Sequence, residues 1–298
     1  MNHLTRWISR RHPRYIRSLV YMLQASEYDV RDFFRWHERV HDFRAVEKRK
    51  QLVLTAKALG LYCAGWLFAA LLVSASVYTL VTFESPWNVV LGGLLFIEAP
   101  VFVLMGILFV LLFIQFLQMP VEMMIADRAR QVLETHPALK IAIAGSFGKT
   151  SMRELLKTVL AEGKNVAAPS GSYNTPLGIA EFVKTLKGDE QILIFELGEY
   201  YSGDIKKLCN IVQPDIGVIT GVNEAHLEKF GSVENAAKTI FELADYLGEK
   251  PVYVNADNTL AKKYAQDEHI QYSRDGGNSW KVSSAETSLE GTTCTLTR

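Results

Sequence analysis

The chain has 298 residues, enough for about two domains, and its 32 Lys and Arg residues balance its 32 Asp and Glu residues. This neutral balance argues against a nucleic-acid partner, which usually binds a basic surface. The three cysteines, Cys63, Cys209 and Cys294, are too few and too widely spaced for a disulfide framework or a metal site, and they fit a reducing compartment.

The first fifty residues are basic and have the spacing of amphipathic helices. They hold twelve Lys and Arg against six Asp and Glu, and aromatic residues alternate with arginine in 15–23 and 30–37. Such a segment either lies on an anionic membrane surface or supplies only the positive charge that sets membrane topology. His37 and His41 have the i, i+4 spacing of zinc ligands, but no further Cys or His nearby makes a credible site.

Two long apolar runs follow the basic segment. The first, Ala58–Phe83, is uncharged and would extend about 39 Å as a helix, enough to cross a membrane. The second, Trp87–Met119, is interrupted only by Glu98 and Pro100. Because no Lys or Arg occurs in 58–127, we expect a transmembrane hairpin in the inner membrane with both chain ends in the cytoplasm.

A carboxylate inside a membrane helix is by default a functional candidate. Glu98 also fits a simpler position near the outer end of its helix, protonated or facing the neighbouring helix. A cleaved signal peptide is not expected, because the first apolar run begins some fifty residues into the chain. After the hairpin, the spacing in 124–134 predicts a short linker helix.

From residue 139 the pattern alternates between strands and helices. The predicted strands are almost continuously apolar, as buried parallel strands are: 141–144, 191–196, 216–220 and 251–255. The predicted helices lie near 177–187, 202–211 and 233–247. This alternation predicts an α/β fold with a doubly wound, mostly parallel sheet. The expected parts are a basic segment (1–50), two transmembrane helices (51–120), a linker helix (121–138) and the α/β domain (139–298).

A glycine-rich loop follows the first predicted strand and reads Gly145-Ser146-Phe147-Gly148-Lys149-Thr150-Ser151. In this setting backbone N–H groups and a helix N-terminus point at one place, where glycine lets a phosphate approach closely. Lys149 would neutralise the terminal phosphates, and Thr150 would offer its hydroxyl to Mg²⁺. The strict motif has glycine where this chain has Ile143, so an ordinary strand-to-helix turn with a solvated lysine is the alternative.

Two further polar residues follow predicted strands. Glu196 ends one strand and His226 follows another, and the carboxyl ends of parallel strands meet where ligands bind. A carboxylate and an imidazole near a triphosphate suggest metal ligands. The alternatives are a helix cap or a solvated strand end for Glu196, and a surface loop histidine for His226.

Five segments of 139–298 resemble the Mur ligase family in the order and spacing of that family. They are Gly145–Glu154, Glu196–Ile205, Gln213–Thr220, Ala225–Ser232 and Asn255–Asn258. The chain is most similar to the branch that adds D-alanyl-D-alanine to UDP-MurNAc-tripeptide. The resemblance implies an ATP-dependent amide ligase that phosphorylates a carboxylate to an acyl phosphate, which an amine then attacks.

The resemblance also implies site residues. Lys149, Glu196 and His226 would be catalytic. The nucleotide would be bound by the loop and by one later residue near adenine: Gly145, Ser146, Gly148, Lys149, Thr150, Ser151 and Asn255. Thr150 and Glu196 would bind one Mg²⁺ ion and His226 the second, while Asn174 would lie on the substrate side.

Three departures from the family qualify this expectation. Ile240 stands where many members carry a carbamylated lysine that supports the second Mg²⁺, and Lys238 lies two residues early as a solvated helix lysine. By this alignment we expect the hairpin in place of the UDP-sugar-binding domain and no C-terminal domain in this sequence; the α/β domain is expected to be incomplete near Arg298, as in a fragment of a longer chain. The expected partners are therefore a lipid bilayer, a peptidoglycan-precursor-like carboxylate, an amino compound, and a partner chain that supplies the missing domain. A polyglutamate- or cyanophycin-type ligase and a non-catalytic ATP-binding scaffold are the alternatives.

Overall fold

The structure, a computed structural model, describes residues 2–47, 51–171, 173–199, 201–224, 230–277, 280–288 and 291–298. The chain divides into two compact units, Met1–Met119 and Pro120–Arg298. The helices that begin in the first unit are α1 (Asn2–Ser9), α2 (Tyr15–Ala25), α3 (Val30–Arg39), α4 (Ala56–Thr82) and α5 (Trp87–Thr135).

The basic N-terminal segment folds into three helices, of which α2 and α3 share one apolar core with α4 and α5. On α2 the side chains of Leu19, Met22 and Leu23 are fully buried, and this helix packs against α4. The apolar face of α2 is thus used inside the unit and is not free to lie on a membrane. In contrast, α1 exposes Trp7 and Ile8.

His37 lies on α3 and His41 follows its end, and the two side chains have different surroundings. His37 is buried between the rings of Phe33 and Phe43, at centroid distances of 5.6 and 5.1 Å, whereas His41 is exposed. Burial, together with nearby Arg10 and Arg6, lowers the pKa of His37 to about 4. Within the described ranges no three potential metal ligands gather, so the structure offers no zinc site at this histidine pair.

Helices α4 and α5 are long and apolar enough to cross a membrane. Glu98 is exposed on α5. The predicted linker helix over 124–134 is not a separate element, since α5 runs without a break through Pro120 to Thr135. The physical reason is that the helical spacing continues and buries Ala129 and Leu133 in the core of the second unit.

The second unit is built on one nine-stranded sheet. Its strands are β1 (Leu139–Ala144), β2 (Val166–Ala167), β3 (Ile192–Glu196), β4 (Ile216–Ile219), β5 (Val252–Asn255), β6 (Ile270–Ser273), β7 (Gly276–Gly277), β8 (Trp280–Ser288) and β9 (Gly291–Thr297). Their spatial order is β2-β3-β1-β4-β5-β6-β7-β8-β9, parallel from β2 to β6 and antiparallel beyond. The predicted doubly wound, mostly parallel sheet is confirmed.

Helices cover both faces of this sheet. They are α6 (Lys149–Ala161), α7 (Pro176–Val183), α8 (Asp204–Val212), α9 (Val233–Leu247) and α10 (Thr259–Tyr264). Alternate residues of each central strand enter opposite cores: Ile141 and Ile143 face α6, while Ala142 and Ala144 face the layer with α8 and α9. The carboxyl ends of β3, β1 and β4 lie side by side at one edge of the sheet. After β1 the chain first adds β2 and β3 on one side of it and then β4 and β5 on the other. Such a change of side marks the place where doubly wound sheets bind ligands.

Candidate functional site

The glycine loop after β1 has a backbone that needs glycine. Gly145 has φ +146° and Gly148, which caps α6, has φ +75°. A Cβ atom on Gly145 would collide with the hydroxyl of Thr220 at the end of β4. That hydroxyl donates to the carbonyl of Phe147 at 2.5 Å, so the end of β4 holds the loop in place.

Two predicted nucleotide-binding residues also tie this loop and its neighbours together. The Ser146 N–H donates to the Gly221 carbonyl at 2.9 Å. The side-chain amide of Asn255 donates to the Thr220 carbonyl at 2.9 Å and accepts from the Asp257 N–H at 3.0 Å. Asn255 thereby fixes the loops after β4 and β5, and its contact with adenine stays a prediction.

Lys149, the first residue of α6, is held by its own loop and by a carboxylate. Its ammonium group donates to the Gly145 carbonyl and lies 2.9 Å from both carboxylate oxygens of Glu199. Glu199 follows β3 and is only 4% exposed. Burial raises the pKa of the Glu199 carboxyl, an effect that the positive charge of Lys149 opposes.

Thr150 and Glu196, the two predicted ligands of one Mg²⁺, lie together. The Thr150 hydroxyl donates to Glu196 Oε2 at 3.0 Å. The other oxygen, Oε1, lies 2.8 Å from Nη1 of Arg153, and both side chains are 4% exposed. Although the two atoms are close, Oε1 accepts no hydrogen bond within the described part of the chain. The contact is therefore an ion pair whose N–H groups are poorly aligned for a hydrogen bond.

Arg153 also connects the site with the loop before α7. Its Nη1 donates to the Gly171 carbonyl at 2.8 Å, and its outer edge pairs with the half-exposed Glu154. In the same loop the Asn174 carbonyl accepts from the Gly198 N–H at 3.1 Å, which places Asn174 beside the end of β3. The predicted substrate-side asparagine is thus next to the strand that carries Glu196.

The residues present fit a Mg²⁺ ion bound with a nucleotide. Mg²⁺ in such sites takes one or two protein oxygens and completes its shell with phosphates and water. Glu196 Oε1 is a buried oxygen that accepts no hydrogen bond among the described residues, and the Thr150 hydroxyl lies 3.0 Å from the other oxygen, Oε2. His226 lies outside the described residues, and Ser151 is exposed in the first turn of α6.

Helix α9 offers no lysine to this site at the position where many Mur ligases carry one. Ile240 is fully buried in the apolar core, and Lys238 is exposed, as predicted. A carbamylated lysine at position 240 would have to enter that core, which apolar neighbours fill.

Two residues of the site, Arg153 and Glu199, were not among the predicted site residues. Arg153 could have been found from spacing, because it lies three residues after Thr150 and therefore on the same side of α6. Glu199 carried no such signal, since its partner Lys149 is 50 residues away in the sequence.

Comparisons with known proteins identify the family of the second unit. The Mur ligase middle domain family matches residues 143–298. The UDP-N-acetylmuramoyl-tripeptide–D-alanyl-D-alanine ligase of Rickettsia prowazekii is 37% identical over 131 residues, which are 44% of this chain and 29% of that protein. The Escherichia coli ligase of the same name is 30% identical over 133 residues, which again are 44% and 29%.

A solved structure shares the fold. The crystal structure of the MurF ligase from Thermotoga maritima in complex with ADP has a TM-score of 0.52 and 27% sequence identity, and the match covers 59% of this chain and 42% of that one. The chain thus spans less than a third of the length of these curated relatives and less than half of this structure.

Proposed function

Because this chain belongs to the Mur ligase middle domain family, we propose that it is a membrane-attached, ATP-dependent ligase that joins a carboxylate to an amine. The observation that carries the proposal is the cluster at the ends of β1 and β3. A glycine loop, the ammonium group of Lys149, and the paired Thr150 and Glu196 together provide what a Mg²⁺-bound triphosphate needs.

The chemistry explains why these groups are needed together. A carboxylate oxygen attacks the terminal phosphorus of ATP, ADP leaves, and the resulting acyl phosphate is attacked by an amine, which releases phosphate. Both reactants of the first step are anions, so positive charge must lie between them. Lys149 would hold the terminal phosphates, and a bound Mg²⁺ ion supplies further charge neutralisation.

The named relatives suggest the substrate class. They are UDP-N-acetylmuramoyl-tripeptide–D-alanyl-D-alanine ligases, so we propose a peptidoglycan-precursor-like carboxylate and an amino compound such as a dipeptide. A partner chain or further domain would position the amine. The buried Ile240 favours one second candidate, an ATP-binding scaffold that does not complete ligation, because a second Mg²⁺ would lack its usual support.

Attachment to the inner membrane, through two membrane-crossing helices with both chain ends in the cytoplasm, is part of the proposal. Its support is the pair α4 and α5, whose apolar side chains are largely exposed. The charge distribution also supports it, since the first fifty residues hold twelve Lys and Arg against six Asp and Glu, whereas 58–127 hold no Lys or Arg.

The three cysteines test this attachment. Cys63 on α4 and Cys294 are exposed, whereas Cys209 is buried and its pKa is raised to about 12 by burial. In inside-out membrane vesicles, which expose the cytoplasmic face, a polar maleimide should label Cys294, reach Cys63 only after detergent is added, and reach Cys209 only after unfolding. Rapid labelling of Cys63 in intact vesicles would contradict insertion of α4, and C63S identifies its signal.

The ligase proposal is tested with the full chain in lipid nanodiscs. We expect Mg²⁺-dependent ATP binding in calorimetry, and K149A should abolish it while circular dichroism remains unchanged. Amide formation from UDP-MurNAc-tripeptide and D-alanyl-D-alanine, read by mass spectrometry, would support the ligase. ATP binding without amide product, even when a partner chain is added, would favour the scaffold. Unchanged ATP affinity in K149A would show that this loop does not bind the nucleotide.

A further inference from the structure

Glu199 and Lys149 form an ion pair at the place where the proposed nucleotide would bind. Both carboxylate oxygens lie 2.9 Å from the ammonium nitrogen, and the same ammonium group donates to the carbonyl of Gly145. The Lys149 side chain is 15% exposed and that of Glu199 is 3% exposed. The lysine charge is therefore already neutralised inside the protein.

Nucleotide binding creates a conflict for this pair. If Lys149 turns to the terminal phosphates, Glu199 loses the one cation that pairs with it among the described residues. A buried carboxylate without a partner is strongly unfavourable, and here it would also face the negative charge of the phosphates. Another cation must then replace Lys149, and the cation that arrives with the nucleotide is Mg²⁺.

The charges around the loop point the same way. Lys149 and Arg153 are balanced by Glu199 and Glu196, so these four side chains carry no net positive charge for a triphosphate. Arg153 is enclosed between Glu196 and the Gly171 carbonyl and cannot turn to the ligand. Binding therefore needs either the loss of a carboxylate charge or a divalent cation.

We propose that Glu199 is a Mg²⁺-linked residue of this site: it holds Lys149 in the free protein and becomes a ligand of a nucleotide-bound Mg²⁺ ion when Lys149 moves to the phosphates. This inference rests on the proposed nucleotide site. It assigns to Glu199 two opposite effects, competition with phosphate for Lys149 when Mg²⁺ is absent and stabilisation of the complex when Mg²⁺ is present.

The variant E199Q separates these effects, because glutamine keeps the shape and removes the charge. Affinity for ATP is measured by calorimetry on the full chain in nanodiscs, once with EDTA and once with Mg²⁺. In EDTA, we expect E199Q to bind ATP about tenfold more tightly than wild type. We expect the factor by which Mg²⁺ increases ATP affinity to be about tenfold smaller in E199Q than in wild type. The control E181Q removes an exposed carboxylate that pairs with Lys184 on the surface, and it should match wild type.

The outcomes are distinct. Equal losses of affinity in both conditions, or no change in either, would overturn the role of Glu199. If wild type binds no ATP, or if K149A binds as well as wild type, the nucleotide site itself is wrong. E199D keeps the charge on a shorter side chain and should raise the Mg²⁺ concentration needed for half-maximal ATP binding. An unchanged Mg²⁺ requirement in E199D would also contradict the proposal, even if E199Q fails to fold.

Discussion

Replacing Arg153 by methionine should strongly destabilise the second unit. The guanidinium group lies 2.8 Å from Glu196 and donates to the Gly171 carbonyl at 2.8 Å, with both charged side chains 4% exposed. Methionine keeps the length and removes the charge, which leaves Glu196 as a buried carboxylate with one hydroxyl donor, Thr150.

The size of the effect follows from burial. Breaking a buried ion pair from one side costs about 3–5 kcal/mol, because the remaining charge stays in a poorly solvated place. For a unit of this size that loss lowers the unfolding temperature by roughly 6–20 °C. The outer contact of Arg153, to the half-exposed Glu154, should contribute no more than about 1 kcal/mol.

The assay is urea unfolding of the full chain in detergent micelles, read by pulse proteolysis at sites in 139–298. E154Q is the matched control, since it removes only the exposed contact of the same guanidinium group. R153M combined with E196Q should be more stable than R153M alone, because the unpaired charge is gone. If R153M loses no more stability than E154Q, the buried pair does not stabilise the unit and the reasoning is refuted.

Three further predictions concern other parts of the chain. G145A should weaken ATP binding more than tenfold, because its Cβ would strike Thr220 in a backbone region that favours glycine; calorimetry checks this, and unchanged affinity would contradict it. T150V should reduce ATP binding in Mg²⁺ but not in EDTA, since only the metal needs the hydroxyl; equal loss in both would argue against a metal ligand. The pKa of His37 is lowered to about 4, so the folded state binds its proton less readily than the unfolded state does. The first unit should therefore lose stability as the pH falls from 6.5 towards 4, and hydrogen exchange of α3 should show this loss in wild type and not in H37F.

The sequence predicted the sheet well because buried parallel strands are continuous apolar runs. The ends of β3, β4 and β5 lie within a residue of the expected positions, and α9 covers the predicted 233–247. The continuity of α5 was missed, because Pro120 and the charged residues after it resemble a helix boundary, whereas burial of Ala129 and Leu133 decides the matter.

Side-chain partners in the site were less predictable than the site itself. The loop, Thr150 and Glu196 follow from motif and strand position, and the structure brings Thr150 and Glu196 together. The partner of Lys149 depends on how the chain leaves β3, a conformation without a periodic signal. The predicted contact of Asn255 with a base cannot be read from spacing either, because its amide is used to join two loops.

The two ion pairs on the first turns of α6 have different consequences because their cations differ in exposure. Arg153 is 4% exposed and holds a carboxylate and a backbone carbonyl at once, so its removal should be felt mainly as lost stability. Lys149 is 15% exposed, ends in a flexible ammonium group and lies on the glycine loop, so its pair with Glu199 can exchange for a ligand. Glu196 is thus held in place before any nucleotide arrives, while Glu199 is released only when Lys149 turns to the nucleotide. This difference is why R153M is tested by unfolding and E199Q by the Mg²⁺ dependence of binding.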